Sequence, residues 1–148
     1  MNDLGELDGR LLVVFDGRCG FCNRSVRWFL RRDRLDRLRF VPYESPRIAS
    51  LLRRNGWAGE GTTIDPSTII VVRDAGLPAE TVLVRSNAVI AILNELQSPW
   101  PALGNLVRLI PRPLRDLGYR LVARSRFTFF RRLESCPIPT ATERARFL

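Results

Sequence analysis

Two cysteines, Cys19 and Cys22, flank the junction where an apolar run gives way to a helical pattern. Leu11 to Phe15 is a short, continuous, Val-rich run, the mark of a strand covered on both faces. Asp16-Gly17 breaks it. From about Gly20 to Asp33 the apolar residues recur at helical spacing. Cys22, Val26, Phe29 and Leu30 share one face, while Arg24, Arg27, Arg31 and Arg32 fall largely elsewhere. A thiol at a helix start is placed where unpaired backbone N–H groups and the helix dipole stabilise negative charge. A second thiol one turn on can close a disulfide with it. Together they are the minimum equipment for thiol–disulfide exchange.

The rest of the chain extends the pattern. Leu38 to Val41 reads as a second strand, ended by Pro42. Ser45-Pro46 opens a helix, with Ser as N-cap and Pro at the first helical position. Ile48, Ala49, Leu51 and Leu52 supply its buried side, and Asn55-Gly56 stops it. Trp57 to Asp65 is a Gly- and Thr-rich loop. Thr68 to Val72 is a third strand and Thr81 to Val84 a fourth, joined through Asp74-Ala75-Gly76 as a hairpin. Ser86 is expected to cap a helix with Val89, Ile90, Ile92, Leu93 and Leu96 inward. The order strand–helix–strand–helix–strand–strand–helix makes a parallel βαβ unit followed by an antiparallel hairpin and a covering helix. It predicts an α/β fold: a thioredoxin- or glutaredoxin-like four-stranded mixed sheet flanked by helices. Ser98-Pro99-Trp100-Pro101 reads as a linker or tight corner. Beyond it come a short helix through Leu103, Leu106, Val107 and Ile110, ended by Pro111-Arg112-Pro113, and a longer helix from Leu114 to Leu133. The organisation expected is a single domain over 1–148, with a core at about 11–97, a helical extension at about 101–135 and a loose tail at 137–148.

Composition narrows the chemistry. All 24 basic residues are Arg, and the chain contains no His. That excludes Ser–His and Cys–His nucleophile pairs, His metal ligands and His acid–base catalysis. Cysteine and carboxylate groups are what remain for chemistry near neutral pH. The net charge of +9 has two readings, a coding bias toward Arg or an anionic partner for guanidinium groups. No apolar run approaches the roughly 20 residues needed to span a bilayer. Met1 to Arg10 is acidic and polar, unlike a secretory signal. The cytoplasm is therefore the expected compartment, where a close cysteine pair is catalytic or metal-binding more often than structural.

Asp16-Gly17-Arg18-Cys19-Gly20-Phe21-Cys22 resembles the signature of the DCC family of thiol–disulfide oxidoreductases, named for an Asp-x-x-Cys-x-x-Cys motif. Further blocks follow in the family's order. These are Ser25-Val26-Arg27, Asp33-Arg34, Leu38-Arg39-Phe40-Val41-Pro42, Val84 to Val89, and Tyr119 to Arg126 with Cys136 behind. The resemblance covers roughly Leu11 to Thr140. It implies a thioredoxin-like fold and a redox-active dithiol, without naming a substrate. Thioredoxin-like proteins also place a cis-Pro before the third strand, opposite the thiols. Pro66 stands near that position, where a plain loop proline fits equally.

The site is assigned accordingly. Cys19, expected to be exposed before the first helical turn, is the attacking nucleophile. Cys22, expected to be shielded on the inward stripe, resolves the mixed disulfide. Asp16 is either a proton acceptor for Cys22 and orienter of the loop, or simply a turn or cap residue. Arg18, Gly20, Phe21 and Pro66 are candidate substrate contacts, with Gly20 allowing close backbone approach and Phe21 an apolar contact. Cys136 either packs as a small apolar residue or serves as a third redox thiol. No bound cofactor or metal is required, although glutathione, an anionic tripeptide, is a conceivable co-substrate. The partners expected are a disulfide or dithiol substrate, protein or small molecule, and a reductant left unidentified. Two other classes remain open. One is a Cys-ligated metal site completed by Cys136 and a carboxylate. The other is a basic module in which the aromatic, Arg-rich C-terminal helix meets an anionic membrane surface, with nucleic acid the weaker partner. The ordinary reading of that helix is amphipathic packing on the sheet with a solvated Arg face.

Overall fold

The computed structural model describes residues 7, 9–56, 69–129 and 140–148. Strand β1 (Leu11–Phe15) leads to helix α1 (Gly20–Arg32) and strand β2 (Leu38–Pro42). A 3-10 turn (Pro46–Ile48) runs into α2 (Ala49–Arg54). Strands β3 (Ile70–Arg73) and β4 (Thr81–Val84) follow, then α3 (Arg85–Glu95), α4 (Trp100–Arg108), α5 (Arg112–Phe129) and a second 3-10 turn (Arg144–Arg146). The strands form one sheet in the order β2-β1-β3-β4. β1 and β2 are parallel, with Leu11 opposite Leu38 and Phe15 opposite Pro42. β3 runs antiparallel to both β1 and β4. The expected mixed α/β sheet of thioredoxin-like form is thus the architecture.

Every residue of β1 is buried because both faces of the sheet are covered. Leu11, Val13 and Phe15 pack with Val26 and Phe29 of α1 and with Ala88, Ile92 and Leu96 on and just beyond α3. Leu12 and Val14 point the other way, onto Ile48, Leu51 and Leu52. Each such large apolar side chain contributes about 1.5–3 kcal/mol on leaving water. The local signals behave as their chemistry dictates. Ser45 Oγ accepts the Arg47 N–H ahead of Pro46. Gly56, at φ 72°, takes the left-handed conformation just past α2.

Three expectations are corrected. Ser86 is not the cap of α3, because the helix already begins at Arg85. Its hydroxyl donates instead to Asp116 on α5, and that carboxylate also takes the Ser86 N–H. The cap therefore comes from another helix. The tail is not loose where it is described. The Leu148 N–H donates to Phe40 O at 2.9 Å, extending the sheet beyond β2. The Phe147 ring lies 6.2 Å from Phe15 and 5.8 Å from Phe40, centroid to centroid. Arg146 donates to the buried Asp33 carboxylate at 3.3 Å and to Asp33 O at 2.9 Å. An unpaired strand edge and a buried carboxylate give the tail something to bind, and neither is visible in a short polar sequence. The Ser98–Pro101 segment is the tight corner rather than a linker: Ser98–Pro99 is cis and Trp100 begins α4. Trp100 packs edge-on to Trp28 at 4.7 Å, and the Arg32 guanidinium covers Trp28. Finally, α5 does not turn its leucines to the sheet. It is held on α3 by Asp116, and Leu114, Leu117 and Leu121 face outward.

Helix α4 crosses α3 closely at Gly104. A Cβ there would stand 2.9 Å from Asn94 Oδ1 and 3.3 Å from Leu93 Cβ. Among the described residues, no helix is long and apolar enough to cross a membrane.

Candidate functional site

The loop Asp16–Cys19 is built from the C-terminal end of β1, in the middle of the sheet. Phe15 is pinned there by the Tyr43 N–H, which donates to Phe15 O at 2.9 Å. Asp16 is 3 % exposed. Its Oδ1 accepts the Arg18 N–H at 3.0 Å, and its carbonyl accepts the Cys19 N–H at 3.2 Å. This is the local Asx geometry that lets a carboxylate shape the turn after a strand. Arg18 projects outward as an exposed side chain, while Gly17 is buried. Gly20 and Phe21, both half-buried, are the first two residues of α1.

Cys19 is the N-cap of α1, with extended backbone. Its Sγ accepts the Cys22 N–H at 3.3 Å. The two cysteines lie close together, and both stand as thiols. Their exposure is the reverse of that expected. Cys19 is 1 % exposed, whereas Cys22 is half-buried against the α1–α3 core. The reason is the cap itself. A side chain that folds back to take an N–H of the first turn turns its sulfur under the helix start instead of into solvent. A position before the first turn is thus no guarantee of access.

Asn23 completes the site, and the sequence reading missed it. Its Nδ2 donates to Gly17 O at 2.8 Å and to Cys19 O at 2.9 Å, and its backbone N–H also donates to Cys19 O, at 3.0 Å. One amide side chain ties the loop to the helix on both sides of Arg18. The available signal was spacing, since position i+4 from the N-cap faces back toward the cap. Two further contacts frame the same end of the sheet. Val14 pairs with Ile70, and Ile70 with Val84, so the start of β3 and the end of β4 lie beside the loop. There the Ile69 N–H donates to Tyr119 Oη at 2.9 Å. The Ser86 hydroxyl, with help from its N–H and from Arg112 and Arg85, holds the Asp116 carboxyl below its ordinary range.

Pro66 and Cys136 lie outside the described residues. Among the described residues, no group of three or more His, Cys, Asp or Glu side chains is placed to hold a metal ion.

A mixed β2-β1-β3-β4 sheet, with a Cys-x-x-Cys pair opening the helix after its central strand, defines a thioredoxin-like protein carrying a dithiol. The chain belongs to the DCC1-like thiol-disulfide oxidoreductase family, whose pattern matches residues 13–132. It is 28% identical over 137 residues to the uncharacterized protein YuxK of Bacillus subtilis (strain 168), covering 93% of each chain. It is 31% identical over 133 residues to the DCC family protein At1g52590, chloroplastic, of Arabidopsis thaliana, covering 90% of this chain and 72% of that one. No solved structure matches the chain.

Proposed function

We propose that the protein is a thiol–disulfide oxidoreductase in which Cys19 attacks and Cys22 resolves. The observation that supports this most is the Cys22 N–H donated to Cys19 Sγ at 3.3 Å. A donor at a helix start stabilises negative charge on the sulfur that must attack or leave. In reduction, the Cys19 thiolate attacks one sulfur of a substrate disulfide and releases the other as a thiolate. Cys22 then gives up its proton and attacks the Cys19 sulfur. The second substrate thiol leaves, and Cys19 and Cys22 remain as a disulfide. Two electrons and two protons have passed to the substrate. An external dithiol, or two glutathione molecules drawn to the exposed Arg18 and Arg24, returns the pair to thiols. Run backward, the same steps oxidise a dithiol.

Because Cys19 is enclosed, the substrate must displace what covers it. Gly17 and Gly20 on either side give the backbone freedom to move. Asp16 acts here by orienting the loop through the Arg18 N–H. Arg18, Gly20 and Phe21 are the substrate contacts of this reading, and a reducing compartment such as the cytoplasm suits it.

The test compares wild type with Cys19→Ser and Cys22→Ser in disulfide reduction, followed by trapping of mixed disulfides. Both variants should lose turnover, and Cys22→Ser alone should accumulate trapped adducts. Adducts on Cys19→Ser instead would exchange the two roles. Equal turnover by all three proteins would remove the enzyme reading.

A further inference from the structure

The dithiol reading leaves the outer face of α4 and α5 unused. Leu103, Leu106 and Ile110 recur at i, i+3 and i+7 on and just beyond α4, and Leu114, Leu117 and Leu121 repeat that spacing on α5. Residues so spaced share one side of a helix. All six are exposed, with Leu106 at 62% and Leu117 at 52%, and Leu109 between the two rows reaches 80%. The opposite sides of the two helices are the ones that pack: Gly104 on α3, Asp116 on Ser86, Tyr119 on Ile69. Scattered exposed leucines are ordinary, but an exposed apolar row on each of two consecutive helices that both pack on α3 is more than scatter.

The charges around the patch select its occupant. Arg120 and Arg124 are exposed alongside the leucine row of α5, while Arg112 pairs with Asp116 at 3.7 Å on the other side. The one acidic residue between Trp100 and Phe129 is Asp116, which is 8 % exposed and turned to Ser86. Two copies of this face would set arginine against arginine, so self-association is disfavoured. Nucleic acid would use the guanidinium groups but leave the leucines in water. An anionic bilayer satisfies both, because leucines enter the acyl boundary while Arg side chains reach up to lipid phosphates.

We propose that α4 and α5 form a membrane-surface dock for anionic phospholipid. This goes beyond the redox reading and does not depend on it. The dock also orients the molecule. α5 is gripped at Ser86 and Ile69, at the end of the sheet where β1 enters the Asp16–Cys19 loop. The dithiol loop therefore lies at the same end of the sheet as the contacts that hold α5.

The experiment is flotation of the full chain with vesicles of phosphatidylcholine alone and with 30 mol % phosphatidylglycerol, at low and high salt. Expected is binding to the anionic vesicles that weakens severalfold as salt rises from about 0.05 to 0.5 M. Leu106→Ser combined with Leu117→Ser should cut binding about tenfold or more, as should Arg120→Glu combined with Arg124→Glu. These side chains are exposed, so unchanged thermal unfolding confirms that the variants are folded. Rate of disulfide reduction in the absence of vesicles should be unchanged in both, which separates this proposal from the redox one. Equal binding to neutral and anionic vesicles, no binding to either, or a dimer in light scattering that the Leu variants dissociate would overturn it. So would tighter binding to duplex DNA that survives the Leu substitutions.

Discussion

Truncating Phe147 tests whether the tail is part of the fold. Phe147 is half-buried and meets Phe15 edge-on at 6.2 Å and Phe40 at 5.8 Å. A fully buried Phe→Ala change costs about 3–5 kcal/mol. Half that burial gives about 2 kcal/mol, and the aromatic pairs add about 0.5–1.5 kcal/mol beyond area. Phe147→Ala should therefore cost about 2.5–3.5 kcal/mol. For a domain of this size, that is a fall in Tm of about 5–10 °C. Phe147→Leu should recover about half, because it restores apolar volume without the ring geometry. Urea unfolding followed by circular dichroism reads both variants. The slope against urea should stay constant, so that the midpoint shift reports stability alone. A loss below about 0.5 kcal/mol for Phe147→Ala would refute the reasoning, since a half-buried ring packed on two core aromatic residues cannot be removed so cheaply. Phe15 also opens into the Asp16–Cys19 loop, so the same variant should raise the rate at which Cys19 is alkylated.

Two other perturbations probe different parts of the account. Asn23→Ala removes the side-chain donor to Gly17 O and Cys19 O and leaves the backbone N–H on Cys19 O. It should cost about 1–2 kcal/mol and speed alkylation of Cys19 by iodoacetamide, the second effect separating loop-holding from general stability. Glu80 accepts from the Arg54 guanidinium, the Gly76 N–H and the Asn55 amide, which hold its carboxyl down at about 2, the Arg54 bond being the largest cause. Its folded value lies below its unfolded one, so its contribution is complete above the ordinary 4.5 and is lost as pH falls toward 2. Glu80→Gln should remove about 1 kcal/mol at pH 7, after allowing for solvent screening of this surface pair, and should flatten the stability profile between those two values.

What the sequence made legible is what a single element decides. The Val-rich run of β1, the Arg-outward face of α1 and the turn residues around Gly56 and Gly76 are local chemistry, and they set the layers of the fold. The cysteine spacing marks the candidate site for the same reason. What it could not show depends on residues far apart. Ser86 looks like a cap until Asp116, thirty residues on, claims its hydroxyl. Arg146 looks like a polar tail residue until it meets Asp33 across 113 positions. The inversion of exposure between Cys19 and Cys22 is subtler, because it turns on which way an N-cap side chain folds. The side on which α5 packs was not legible either, because periodicity marks a face as apolar without saying what lies opposite it. Asp116 and Tyr119, the polar residues on the other side, decide that here.

If the proposed chemistry holds, Cys19 and Cys22 form a reversible two-electron couple. Equilibrating the folded protein across oxidised and reduced dithiothreitol ratios, quenching with an alkylating agent and weighing the product reads it directly. The account predicts one transition in which two thiols disappear together, tenfold in ratio per roughly 30 mV, abolished in both Cys19→Ser and Cys22→Ser. Two thiols that persist at every poise where the fold survives would contradict it.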